Sequence, residues 1–185
     1  MSLLFTTQID LGYQAPDFNL LEPLTGKYIN LRSSRGDKAT VVMFICNHCP
    51  YVKHINSGLI KLANDYIKKS VSFIAINPND ADKYHDDSPE RMADVATELK
   101  YPFPSLYDEK QKTAIDYNAV CTPDFSIFNS NMECVYRGQL DDSRPNTNIE
   151  VTGKDIRNVL DNILSNKDVS KKQFPSAGCS IKWKL

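Results

Sequence analysis

The spacing of apolar positions changes along this chain, and each change marks an element. Between Asp17 and Leu31, short extended stretches flank a turn at Thr25-Gly26, which predicts an N-terminal β-hairpin. Thr40 to Ile45 reads Thr-Val-Val-Met-Phe-Ile, an unbroken β-branched and aromatic run suited to a strand buried on both faces. Pro50 then opens a helix, because proline at the first helical position gives up no intrahelical hydrogen bond. Val52, Ile55, Leu59, Ile60, Leu62, Ala63 and Ile67 recur at helical spacing and carry it to about residue 68, with Gly58 a local weak point. Val71 to Ile76 is a second buried strand, so strand, helix and strand predict a right-handed parallel crossover.

Asn77 to Asp87 is polar, contains Pro78 and reads as a loop with His85 solvated in it. Ser88-Pro89-Glu90 supplies a cap, a first-turn proline and a favourable acid, predicting a helix to about residue 100. Ser105 to Tyr107 is a short strand, and Asp108 caps a helix from Glu109 to about Asn118. Phe125 to Phe128 and Glu133 to Gly138 alternate about a turn at Asn129 to Asn131, an antiparallel hairpin. A last helix starts near Thr152, with Ile156, Val159, Leu160, Ile163 and Leu164 on one face. This order predicts an α/β layer fold, a mixed central sheet flanked by helices. The segment 165–185 is polar up to Phe174-Pro175 and ends in Cys179, Ile181 and Trp183, residues apolar enough to dock. Residues 1–185 therefore read as one domain with a docked C-terminal tail.

Composition narrows the class. At 41% hydrophobic and 24% charged residues the chain is ordinary globular, and a formal net charge of -1 gives no electrostatic reason to expect nucleic acid or an anionic membrane as partner. The longest apolar run, Val41 to Cys46, is strand-sized, far below the roughly 18 residues of a membrane span. Met1 to Asp10 has neither a basic leader nor a long apolar segment, so the expected compartment is cytoplasmic. The cysteines stand at 46, 49, 121, 134 and 179, an odd and uneven set that makes a poor disulfide framework.

Cys46-Asn47-His48-Cys49 lies where the buried strand passes into the helix. Helix N-terminal amides and the macrodipole there stabilise a thiolate, so the pair invites a redox or a metal reading before a structural one. In the redox reading Cys46 is the more exposed, attacking thiol, and Cys49, one turn into the helix, resolves the mixed disulfide. His48, with Lys53 and His54 a turn further on, would favour the thiolate. A zinc site would need further ligands from His48, His54, Cys121 or Cys179. Cys121-Thr122-Pro123 precedes a predicted strand. Its Thr-Pro bond is either trans, simply opening the strand, or cis, exposing Thr122 backbone groups to an incoming extended substrate. Cys134, inside a hairpin strand, reads as core.

Gly12-Tyr13-Gln14-Ala15-Pro16-Asp17-Phe18-Asn19-Leu20 resembles the opening of the alkyl hydroperoxide reductase/thiol-specific antioxidant (redoxin) group of the thioredoxin superfamily. The segments from Cys46 to His54, Cys121 to Phe125, Tyr136 to Pro145 and Gly178 to Lys184 are similar to its peroxiredoxin-like subgroup. The resemblance implies a thioredoxin-like fold with an N-terminal β-hairpin, a cis Pro123, catalytic Cys46 and Cys49, and supporting roles for His48, Thr122 and Pro123. Cys179, in the docked tail, reads either as a buried structural cysteine or as a third, supporting thiol that approaches the pair. The resemblance also implies exchange without cofactor or metal on a protein or small-molecule disulfide or peroxide, recycled by a thiol reductant such as thioredoxin or glutathione. Peroxiredoxins place a threonine or serine three residues before the peroxidatic cysteine and a proline seven before; for Cys49 those positions hold Cys46 and Val42, and for Cys46 they hold Met43 and Ala39. Thioredoxin's buried strand acid is missing too, so a proton acceptor for Cys49 must come from elsewhere, Asp141 and Asp142 being candidates. Weak thiol peroxidase activity, or a metal held by Cys46, Cys49 and a histidine, are the alternative functions.

Overall fold

A computed structural model describes residues 3–184. The expected hairpin is β2 (Asn19–Glu22) with β3 (Lys27–Asn30), followed by a single helical turn, α1 (Leu31–Ser34), capped by Asn30. β4 (Ala39–Phe44), α2 (Pro50–Ile67) and β5 (Val71–Asn77) form the parallel unit, and α3 (Pro89–Glu98) and β6 (Ser105–Tyr107) come next. α4 (Lys112–Asp116) leads to β7 (Cys121–Thr122), then to the hairpin of β8 (Asp124–Asn129) and β9 (Cys134–Gly138), and then to α5 (Lys154–Leu164). The ends of the described chain contribute two short strands, β1 (Leu3–Phe5) and β10 (Ala177–Ser180).

Among the described residues the main sheet runs β3-β2-β6-β5-β4-β8-β9 and is mixed: β4, β5 and β6 are parallel, while β8 lies antiparallel to β4. Every residue of β4 is buried, as its unbroken apolar run requires. Its alternate side chains serve two cores. Val41 and Met43 meet Leu59, Leu62 and Ala63 of α2 and Ile156 and Leu160 of α5. Val42 and Phe44 meet Ile74, Ile76, Tyr117 and Phe128 on the other face. Burying this much aliphatic and aromatic surface at about 25 cal/mol per Å² is what holds the layers together. No described helix is long and apolar enough to cross a membrane.

A second, three-stranded sheet has the order β1-β10-β7. Strands of two to four residues without alternation leave no periodic signal, which is why this sheet is invisible in the sequence. Its consequence is large. Thr122, whose backbone one of the two readings of the Thr-Pro bond left open to an extended substrate, is buried and pairs with Cys179, while Cys121 pairs with Ser180. Gly178 allows this, because a Cβ there would meet the Thr122 carbonyl oxygen at 2.1 Å and its carbon at 2.5 Å. Gly178→Ala should therefore push β10 off β7, lowering stability by about 1–3 kcal/mol in a denaturant titration and opening Cys179 to alkylation.

Two further expectations are corrected. α4 starts at Lys112, three residues late, because Gln111 adopts left-handed backbone (φ 58°) and Asp108 reaches ahead to accept the Ala114 amide at 2.8 Å. Trp183 does not dock but stays 40% exposed, whereas Cys179 and Ile181 are buried. The polar stretch 77–87 is a loop beyond Asn77, the last residue of β5, and His85 is exposed as expected, but Asn77, Asn79, Asp80 and Asp87 are buried in it.

Candidate active site

The loop from Ile45 to Cys49 joins β4 to α2 and is held from outside by one carboxylate. Asp87, with 0% of its surface exposed, accepts from the Asn47 amide (2.7 Å), Asn77 Nδ2 (3.3 Å) and Asn79 Nδ2 (2.8 Å). It also receives His48 Nδ1, whose ring stands 2.5 Å from its oxygen and stacks on Tyr84 with centroids 5.4 Å apart. Burial acts to raise this carboxyl, but the hydrogen bonds from His48, Asn79 and Asn47 win and hold it below the usual carboxylate range. His48 Nε2 is buried and has no hydrogen-bond partner among the described residues.

Pro50 does open α2, so Cys49 is the N-cap and not a residue one turn inside the helix. The cysteine that faces the helix terminus is thus Cys49, while Cys46 sits before it in the loop. Both are buried, Cys46 at 3% and Cys49 at 0% exposure, so Cys46 is the more accessible by a small margin. Cys46 Sγ lies 3.2 Å from Thr122 Oγ1, and Cys49 Sγ lies 3.2 Å from the Thr122 carbonyl oxygen and 2.8 Å from Cys179 Sγ. The Thr122–Pro123 bond is cis. Three sulfurs from two parts of the chain, the loop between β4 and α2 and strand β10, therefore gather beside the cis-proline loop, and none is in a disulfide.

Their ionisation is shared. When Cys49 is protonated its thiol points at the Thr122 carbonyl. When it is ionised, the hydrogen bond from the Cys46 thiol stabilises it first. Burial opposes, and the Cys179 thiol and the amides of Val52 and Cys179 add to the stabilisation, bringing Cys49 down to about 5. Cys49 makes no side-chain capping hydrogen bond, and the Val52 amide counts only toward its ionised form. The same shared proton raises Cys46, with burial and the Asp87 charge adding to the rise and the Thr122 hydroxyl opposing it. Burial, then the Cys49 sulfur, pushes Cys179 up to about 12. The thiolate of this cluster accordingly resides on Cys49.

Asp141 and Asp142 play no part here. Asp141 accepts from Ser143, Thr152 and Gly153 and fixes the start of α5, and exposed Asp142 pairs with Lys154. Asp87 is the acid that sequence reasoning missed, its signal hidden in a stretch that looked like solvated loop. Lys53 is exposed, and His54 lines a small cavity with Pro123 and Arg144. Burial pushes both Cys121 and Cys134 up to about 12, which fits inert core thiols. A sulfur of Cys46, a ring nitrogen of His48 and a carboxylate oxygen of Asp87 lie within 4.8 Å of one another, the geometry a metal reading would use.

A parallel βαβ core that ends in a cysteine pair beside a cis-proline loop defines a thioredoxin-like fold. It is similar, at TM-score 0.63 and 16% identity, to the thioredoxin domain of a thiol-disulfide oxidoreductase from Bacteroides vulgatus, over 83% of this chain and 99% of that one, a likeness of fold alone. Residues 11–138 match the AhpC/TSA family, and the chain belongs to that family, a redoxin class with a general redox function. It is similar throughout to an uncharacterised conserved protein from Geobacillus kaustophilus (56% identity, TM-score 0.98, 100% of this chain and 97% of that one). It is also similar to a hypothetical protein from Sinorhizobium meliloti 1021 (39% identity, TM-score 0.95, 97% of this chain and 98% of that one). No curated protein matches it.

Proposed function

We propose that the protein is a thiol–disulfide oxidoreductase in which Cys46 meets the substrate and Cys49 closes and opens the internal disulfide. The observation that carries this reading is the placement of both sulfurs in the loop from β4 to α2 against the cis-proline loop, Cys46 Sγ 3.2 Å from the Thr122 hydroxyl and Cys49, the N-cap of α2, 3.2 Å from the Thr122 carbonyl oxygen. In the reducing direction Cys46 attacks a substrate disulfide while its proton passes to Cys49, and one substrate sulfur leaves as a thiolate. Cys49 then attacks Cys46 Sγ, displacing the second substrate sulfur and forming the Cys46–Cys49 disulfide. In the oxidising direction an incoming thiolate attacks Cys46 Sγ and Cys49 departs. A sulfur held near pKa 5 is a good leaving group, so the internal disulfide is easily reduced and the pair leans toward the oxidising side.

The test is turnover of a low-molecular-weight disulfide with glutathione as the final reductant. Saturable turnover above the buffer rate supports the assignment, and none at any pH from 5 to 9 overturns it. A weak hydroperoxide reductase is the second reading, favoured by the thiolate residing on a cysteine that only a small oxidant can reach. Replacing the disulfide by a hydroperoxide in the same assay separates the two.

The shared proton also fixes a pH dependence. Cys49 is held at about 5 in the folded dithiol but titrates near ~8.5 when unfolded, so its stabilising contribution is complete above the latter value and lost as pH falls through the former. The stability of the reduced protein, measured against the oxidised form in urea, should therefore rise with pH between 5 and 8, by at most ~1.4 kcal/mol per pH unit.

A further inference from the structure

We infer that Cys179 is a third catalytic thiol, which takes the disulfide from the Cys46–Cys49 pair and holds it as an internal Cys49–Cys179 bond. The inference builds on the exchange chemistry proposed above and extends it to a residue outside the paired-cysteine motif.

The observation is a contact and its scaffolding. Cys179 Sγ stands 2.8 Å from Cys49 Sγ, and both are buried. β10 brings it there by pairing with β7, so that Cys179 faces Thr122, whose carbonyl oxygen touches Cys49 Sγ. This is the edge on which an extended substrate would add as a strand. The chain's own C-terminal strand occupies it and presents a cysteine to the reactive pair, in the position of a built-in substrate.

The strand is clamped on both sides of that cysteine. Before it, Ser176 Oγ donates to the Pro123 carbonyl at 2.7 Å, and the Thr6 amide donates to the Ser176 carbonyl at 2.9 Å. After it, the Lys182 amide donates to Asn79 Oδ1 at 2.8 Å, and the Lys182 carbonyl accepts from the Asp80 amide and from Gln111 Nε2. Asn79 in turn donates to Asp87, the anchor of the Cys46–Cys49 loop. One network therefore positions all three sulfurs. A merely structural cysteine needs only apolar neighbours; this one is held against the sulfur of another.

The exchange balances without an external electron acceptor. The Cys179 sulfur attacks Cys49 Sγ, the Cys46–Cys49 bond breaks as the Cys49–Cys179 bond forms, and the proton given up by Cys179 ends on Cys46. The reverse step returns the disulfide to the Cys46–Cys49 pair. Oxidising equivalents are thereby held on Cys49 and Cys179 while Cys46 is left as a free thiol.

The test is disulfide mapping by mass spectrometry after equilibration in glutathione/glutathione-disulfide buffers and acid quenching, on wild type and on Cys46→Ser. In Cys46→Ser, oxidised glutathione first caps Cys179, the less buried of the two remaining sulfurs of the cluster, and Cys49 then displaces the glutathione, so the expected product is a Cys49–Cys179 disulfide with the loss of two hydrogens. Wild type is expected to show both Cys46–Cys49 and Cys49–Cys179 linkages, a measurement that needs no variant to fold. If Cys49 and Cys179 stay unlinked in Cys46→Ser, as thiols or as glutathione adducts, and wild type shows only Cys46–Cys49 at every buffer ratio, the role of Cys179 is overturned while the oxidoreductase reading stands. If wild type shows only Cys49–Cys179, the third thiol is supported and the paired-cysteine reading fails.

Discussion

Cys49→Ser is expected to abolish turnover, on the order of 10³-fold or more, and to remove the thiolate absorbance that titrates near pH 5 in the reduced protein. Cys49 carries both functions of the pair: it takes the proton from Cys46 as that thiol attacks, and it supplies the second sulfur of the internal disulfide. Serine keeps the size of the side chain but neither the acidity nor the capacity to form the bond. The variant should leave Cys46 as an ordinary, poorly ionised buried thiol, because the largest influence on its titration is the hydrogen bond to Cys49. A steady-state assay and an ultraviolet pH titration on the same sample check both consequences. Retention of the low-pH titration in Cys49→Ser would place the thiolate on another sulfur.

Asp87→Ala is expected to cost about 3–5 kcal/mol in a denaturant titration and to slow exchange. The carboxylate is buried and receives the Asn47 amide, His48, Asn77 and Asn79, so its removal orphans four donors at once. Two of these belong to the loop between Cys46 and Cys49, and a third, Asn79, holds the backbone of Lys182 in the segment that carries Cys179. Loosening should therefore reach all three sulfurs. Asp87→Asn, which keeps the shape and one acceptor, should cost less. Since the folded protein holds this carboxyl below its usual range, its contribution to stability is present above pH 4 or so and disappears as pH falls through the depressed value. Urea titrations from pH 3 to 6 should show that acid loss in wild type and a weaker one in Asp87→Ala.

The centre of the main sheet was legible because β4, β5, β8 and β9 are long enough to carry a pattern. The run from Thr40 to Ile45 had to be a central strand, and the helical spacing behind Pro50 had to pack on it. Ser88 before Pro89 marked the start of α3, and there the side chain does accept the Arg91 amide. The small sheet was not legible, since Cys121–Thr122 and Ala177–Ser180 are too short to show alternation and meet only through tertiary folding. Asp87 was hidden for a related reason. A segment rich in Asn and Asp looks solvated, yet here its side chains satisfy one another and a backbone amide around a buried carboxylate. The N-cap position of Cys49 was implied by Pro50 standing first in the helix, but its burial below Thr122 and against Cys179 depends on Gly178, whose meaning appears only once β10 lies on β7.

The central claim is that Cys46 and Cys49 form a reversible redox pair, and a redox titration of the fully reduced protein in glutathione buffers, followed by alkylation and peptide mapping, tests it most directly. The account predicts a Cys46–Cys49 disulfide that forms and disappears reversibly with the buffer ratio, with Cys121 and Cys134 remaining thiols throughout. A protein in which Cys46 and Cys49 never pair at any ratio would contradict it.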